Sequence, residues 1–172
     1  MTDDTTEALR LAGFALAHAA DSIEDGETLC TLAAILVGDD LALVRVEADT
    51  IPESEDIAHE HLRERLEHGG HAALVVDGFV TLTGGSRTDA LIIELFGPGA
   101  RPLGKVAQPY RAAHPSRIPF LGRASGFAIL GEPIISDGIQ VPDAARVLLD
   151  SARGHPKAAR FFKSQGRTKT SR

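Results

Sequence analysis

The chain reads as an α+β domain, a mainly antiparallel sheet of about five to six strands with three helices in the order α-β-β-α-β-β-β-(β)-α. Three observations predict it. Residues 71–96, HAALVVDGFVTLTGGSRTDALIIELF, are rich in Val, Ile, Leu, Thr and Phe and are broken by Gly84-Gly85-Ser86-Arg87, the pattern of two long strands joined by a short loop. Gly38-Asp39-Asp40 separates two further apolar runs as a second hairpin would. Three other segments space their apolar residues as helices do, and hairpin-linked strands place such helices on one side of the sheet.

The first helix is expected from Thr5 to Ile23. Leu9, Gly13, Leu16, Ala20 and Ile23 share a stripe, Asp3, Asp4 and Glu7 suit its amino end, and Asp25-Gly26 ends it. Its wide, alanine-rich apolar face suits close packing against a sheet or a second copy. Strands follow at 28–37 and 41–48; in the second, Ala42, Val44 and Val46 face inward while Leu41 and Leu43 share the outward side with Arg45 and Glu47. Thr50-Ile51-Pro52-Glu53 has capping-box spacing with proline in the first turn, and starts a helix that runs to about Glu67. Only Ile57, Ala58, Leu62 and Leu66 form its narrow apolar stripe, so it belongs on the outside.

In the central hairpin, Leu74, Val76, Val80 and Leu82 form the face expected to be buried, and residues 88–96 are apolar on both faces. Asp77-Gly78 is read as a bulge in one long strand, with a tight hairpin there as the alternative, because the nine residues 88–96 need a partner of matching length. After a loop at 97–102, residues 103–110 form an edge-like strand, since Pro109 has no amide to donate. Residues 111–124 are irregular, 126–130 form a last short strand, and Pro142 opens a helix through Ala152 closed by Gly154. The domain is placed at 1–154, and 155–172 is a flexible basic tail.

The 172 residues suffice for one domain with a core, and 43% apolar with 24% charged residues is a soluble globular composition. The acidic amino terminus lacks the layout of a secretory signal, and no apolar run approaches the ~20 residues of a membrane-spanning helix, so the expectation is a cytoplasmic protein without membrane contact. Cys30 is alone in an apolar run and reads as a small buried hydrophobe. Fourteen arginines against four lysines fit a bacterial source. Residues 1–96 hold 20 carboxylates and 5 Lys/Arg, a balance of −15, whereas 97–172 hold 4 and 13, a balance of +9. Pairing between the two halves is the first explanation, with head-to-tail association or a polyanion surface behind it.

Candidate chemistry is sparse. His59, His61 and His68 lie on or just after the second helix, but a zinc helix wants histidines four apart, so a solvated face is preferred over a metal site. Asp89, Glu94 and Lys105 resemble a metal-dependent nuclease set in composition only. Phe96 stands where that set needs lysine, and strand period sends Asp89 and Glu94 to opposite faces. Gly97-Pro98-Gly99 lacks the third glycine of a dinucleotide loop, and Ser125 misses nucleophile-elbow spacing. Arg111, Arg117, Arg123, Lys157, Arg160 and Lys163 could contact a polyanion, with Tyr110, Phe120, Phe161 and Phe162 interleaved.

The favoured reading is a binding or interaction module without cofactor or chemistry of its own, self-associating as a dimer because one helix layer cannot shield a sheet apolar on both faces. The second is a nucleic-acid-associated protein using the basic segments 101–123 and 153–172. The third is a metal-dependent hydrolase using Asp89, Glu94 and Lys105.

Overall fold

The computed structural model describes residues 4–114 and 126–163. Helix α1 (Asp4–Ile23) is followed by strands β1 (Thr31–Val37) and β2 (Asp40–Val46), then helix α2 (Ile51–Arg65). Strands β3 (His71–Thr81), β4 (Arg87–Gly97) and β5 (Arg101–Arg111) come next, with a 3-10 turn Pro98–Ala100 before β5. Short strands β6 (Ala128–Ile129) and β7 (Ile134–Ile135) and helix α3 (Ala144–Arg153) follow, and a 3-10 turn at Ala159–Phe161 is the last described element. The sheet has the order β2-β1-β3-β4-β5, every pairing is antiparallel, and both β6 and β7 pair with β5. The α+β class and the element order are those the sequence predicts.

The helices are not on one side. Leu32, Ala34, Ala73, Val75, Leu91, Ile93, Leu95 and Val106 alternate onto one face, where α1 covers them and α3 packs against α1. Ala33, Ile35, Ala72, Leu74 and Phe96 point the other way, against Ala58, Leu62 and Leu66 of α2. This corrects the single helix layer. A sheet apolar on both faces needs two layers, and the chain supplies the second from its own most charged helix, leaving Ile57 half exposed on the outer side.

Local expectations hold at the start of α2. Thr50 is extended and its Oγ1 accepts from the Glu53 amide at 3.3 Å, with Pro52 in the first turn. Strand β3 is a single long strand, but Asp77 and Gly78 pair regularly with Leu91 and Ala90, so no bulge lies there. The irregularity falls between β4 and β5, where Leu95 pairs with Gly104 but Phe96 pairs with Pro102 and Leu103 is skipped. Proline without an amide cannot keep a regular ladder. Strand β5 also begins earlier than expected and is no free edge: Pro109 is buried and its carbonyl accepts from the Leu130 amide at 2.9 Å. Leu41 and Leu43 are exposed on β2 as expected, while Cys30 is half buried rather than buried.

Residues 155–163 do not begin a loose tail. His155, Ala158 and Phe162 are buried against α1 and α3, and the expected boundary at 154 falls inside the packed structure. Residues 164–172 lie outside the described residues, as do Arg117, Phe120 and Arg123.

Candidate functional site

Where α2 crosses β4 and β5, a groove of about 400 Å³ opens, lined by His59, Leu62, Arg63, Phe96, Pro102 and Lys105 among others, with Glu94 in its wall. Helical spacing places His59 and Arg63, four residues apart, on one side. The β4–β5 register places Glu94 directly across from Lys105 on the opposite side. The irregularity beside them turns Phe96 into the floor, its ring meeting the His59 ring edge-on at 5.7 Å. One end is closed by the 3-10 turn, whose Gly99 amide donates to the Leu66 carbonyl at 2.8 Å. Gly104 is required here. Its φ is +145°, and a Cβ would lie 2.5 Å from the Ile139 side chain, so any larger residue would push β5 and Lys105 out of place.

Glu94 holds the polar groups together. Lys105 Nζ pairs with its Oε1, and His59 Nε2 donates to its Oε2 at 2.9 Å. Because the carboxylate only accepts, Nε2 carries the hydrogen and Nδ1 is the ring nitrogen left over. Burial alone would raise the Glu94 carboxyl, but the bonds from Lys105 and His59 outweigh it and hold the carboxyl below its ordinary value of 4.5. A carboxyl depressed in the folded state stabilises the fold above its unfolded value, and that contribution is lost as pH falls through the lower folded value. The expected result is that Glu94→Gln is less stable than the parent at pH 7, with the difference shrinking steadily below about pH 4.5 in urea melts. Equal stability at neutral pH would show that the carboxylate is indifferent to its neighbours.

Arg63 is exposed and has no ion-pair partner among the described residues. Among the described residues of the second half of the chain, by contrast, Arg101, Lys105, Arg146, Arg153 and Arg160 have carboxylate partners. Arg101 pairs with Asp4 at 2.9 Å, Arg160 with Glu24 at 2.6 Å and Asp21 at 3.4 Å, and Lys105 with Glu94. Arg111 donates to the Gly126 carbonyl at 2.8 Å. Among the described residues, three cations of the second half, Arg101, Lys105 and Arg160, thus pair with carboxylates of the first half. Lys157 and Lys163 are exposed.

The other candidates scatter. Asp89 lies on the α1 side of the sheet, away from Glu94, so the set Asp89, Glu94, Lys105 contributes only its last two members to the groove. His61 is half buried and His68 exposed, neither beside His59, and among the described residues no group of three or more His, Cys, Asp or Glu is placed to hold a metal. Near Asp89, Tyr110 Oη donates to Asp77 Oδ1 at 2.8 Å. Burial raises the Asp77 carboxyl, and burial beside Asp77 raises the Tyr110 phenol. No sequence signal links residues 33 apart on strands that are not neighbours. By sequence Arg63 is one charge among many on α2, and only its four-residue spacing from His59 marks it out.

No described helix is long and apolar enough to cross a membrane. Compared with protein-family models, curated proteins and solved structures, the chain matches none.

Proposed function

We propose that the protein is a binding module whose groove between α2 and the β4–β5 ladder takes a small organic anion with a short apolar portion. The observation that carries this is the unpaired Arg63 facing the Glu94–Lys105 pair across a largely apolar floor. The volume falls in the range of small-molecule sites, which combine apolar walls with a few placed polar groups. Phe96, Leu62 and Pro102 suit the apolar portion, and Arg63 with the exposed side of Lys105 suits the anion. Binding is favoured over catalysis because both Glu94 oxygens already have partners, so the carboxylate is not free to act as a base.

The test is a titration of isotope-labelled protein with benzoate and phenyl phosphate, followed by amide shifts, with benzylamine and inorganic phosphate as comparisons. Shifts at Arg63, Phe96 and Lys105 are expected for the aromatic anions, and Arg63→Ala should weaken them about tenfold, the worth of one charge-assisted hydrogen bond. Benzylamine binding as well as benzoate, or shifts confined elsewhere, would overturn the proposal.

Self-association loses its main ground, because α2 shields the second face of the sheet. The exposed Leu41 and Leu43 on the β2 edge remain. Antiparallel pairing of β2 with a second copy centred on Leu43, however, sets Asp39 opposite Glu47 of that copy at each end, which repels. The proposal is accordingly one of ligand binding by the single chain.

A further inference from the structure

The last described turn is capped from within by one imidazole that packs against α1. His155 is only 5% exposed, its ring lying 5.0 Å from Phe14 and 5.8 Å from His18 between centroids. Its Nδ1 accepts from two backbone amides, Lys157 at 3.2 Å and Ala158 at 3.1 Å. Those amides begin the turn that inserts Ala158 and Phe162, both fully buried, beside α1 and α3. Phe161 packs edge-on against Phe127 at 5.1 Å, and Arg153 Nε donates to the Phe162 carbonyl at 3.1 Å. A nitrogen that accepts two amides is one whose lone pair must stay unprotonated.

We propose that residues 155–163 form an acid-released latch, in which protonation of His155 Nδ1 removes both amide bonds and frees the segment from α1. A proton on Nδ1 would point its hydrogen at two N–H groups, exchanging two attractions for a repulsion. The new cation would also sit in a mixed field. His18 and Asp21 face it from α1, and Lys157 lies beside it in its own segment. Arg45 of β2 faces His18 and is itself bonded to Ser22 Oγ at 3.0 Å. On α3, Arg153 is paired with Asp150; in the segment, Arg160 is paired with Asp21 of α1 and with Glu24 just past its end.

Burial is the main cause that lowers both imidazoles from the ordinary 6.5, and for His18 the neighbouring Arg45 and His155 add to it. For a histidine lowered in the docked state and ordinary once released, the released form binds more protons below about pH 6.5, so docking weakens as pH falls. Opening would uncover the Phe14 ring and the buried Phe162 together.

Native-state amide exchange at pH 7.5 and pH 5.0, corrected for intrinsic rates, tests this. Protection of the Lys157 and Ala158 amides should fall about tenfold or more, the most one proton supplies being tenfold per pH unit, while the Leu91 and Ile93 amides of β4 stay protected. His155→Asn, whose amide oxygen accepts in place of Nδ1 without titrating, should remove the pH dependence. The His155 ring resonance of the unaltered protein gives a second reading, with a midpoint coinciding with the opening. Flat protection, parallel loss in β4, or an unchanged pH dependence in His155→Asn would each overturn the latch.

Discussion

Replacing Phe162 by alanine should lower the unfolding free energy by about 3–5 kcal/mol, the usual cost of removing a buried phenylalanine. By composition, Phe162 belongs to a basic terminal segment in which a phenylalanine would be expected to lie loose in water. Instead it is fully buried, in the core shared by α1 and α3. The cost is the lost transfer of the ring plus whatever cavity α1 and α3 cannot close. Urea melts at pH 7.5 measure it directly, and the thermal midpoint should fall by about 10 °C for a chain of this size. A loss under about 1 kcal/mol would mean that the segment contributes little to the fold.

The second large effect is at Gly13. Glycine inside a helix is ordinarily a weakness, and alanine in its place usually gains about 0.5–1 kcal/mol. Here the sign should reverse. A Cβ at position 13 would lie 2.1 Å from the Leu148 carbonyl oxygen and 2.8 Å from the Ser151 Cβ, so α1 and α3 approach backbone to backbone at this point. Ser151 Oγ donates to the Arg10 carbonyl at 2.5 Å in the same contact, tying the helices at that spacing. Neither clash is with a flexible side-chain end, so relief requires the helices to separate. Gly13→Ala should therefore destabilise by about 3 kcal/mol, the upper part of the overpacking range. Ala17→Gly, in the same helix one turn on and also buried, serves as the comparison. Removing a Cβ there should cost only about 1 kcal/mol of helix propensity, together with a small packing loss. A stabilised Gly13→Ala variant would show that α3 does not press on α1 in solution.

Much of the architecture is legible in the residues, for local physical reasons. The capping box at Thr50 and Glu53 and the glycines at 84 and 85 act through neighbours in the chain, so their spacing carries the information. The alternation along β3 says that residues such as Leu74 and Val76 must be buried, and they are. It does not say by what. That α2 rather than a second copy covers that face depends on where the chain returns after β2, and its four apolar residues are too few to announce it. The regular Asp77-Gly78 pairing and the irregularity at Phe96 were likewise exchanged. Glycine marks permission for a bulge, whereas the skipped Leu103 follows from Pro102 lying opposite Phe96.

The candidate site was legible only in pieces. Glu94, Lys105 and His59 each stood out, but in two different sets, one with Asp89 and one with His61 and His68. By itself the sequence determined the elements, their class and the two oily sides of the sheet, because propensity, capping and period are set by residues a few positions apart. Only the tertiary structure decided that α2 lies over the second face, that Glu94 joins Lys105 to His59 beside an unpaired Arg63, and that Phe162 is core. Those outcomes turn on strand register and on contacts between residues far apart in the chain, which no local pattern encodes.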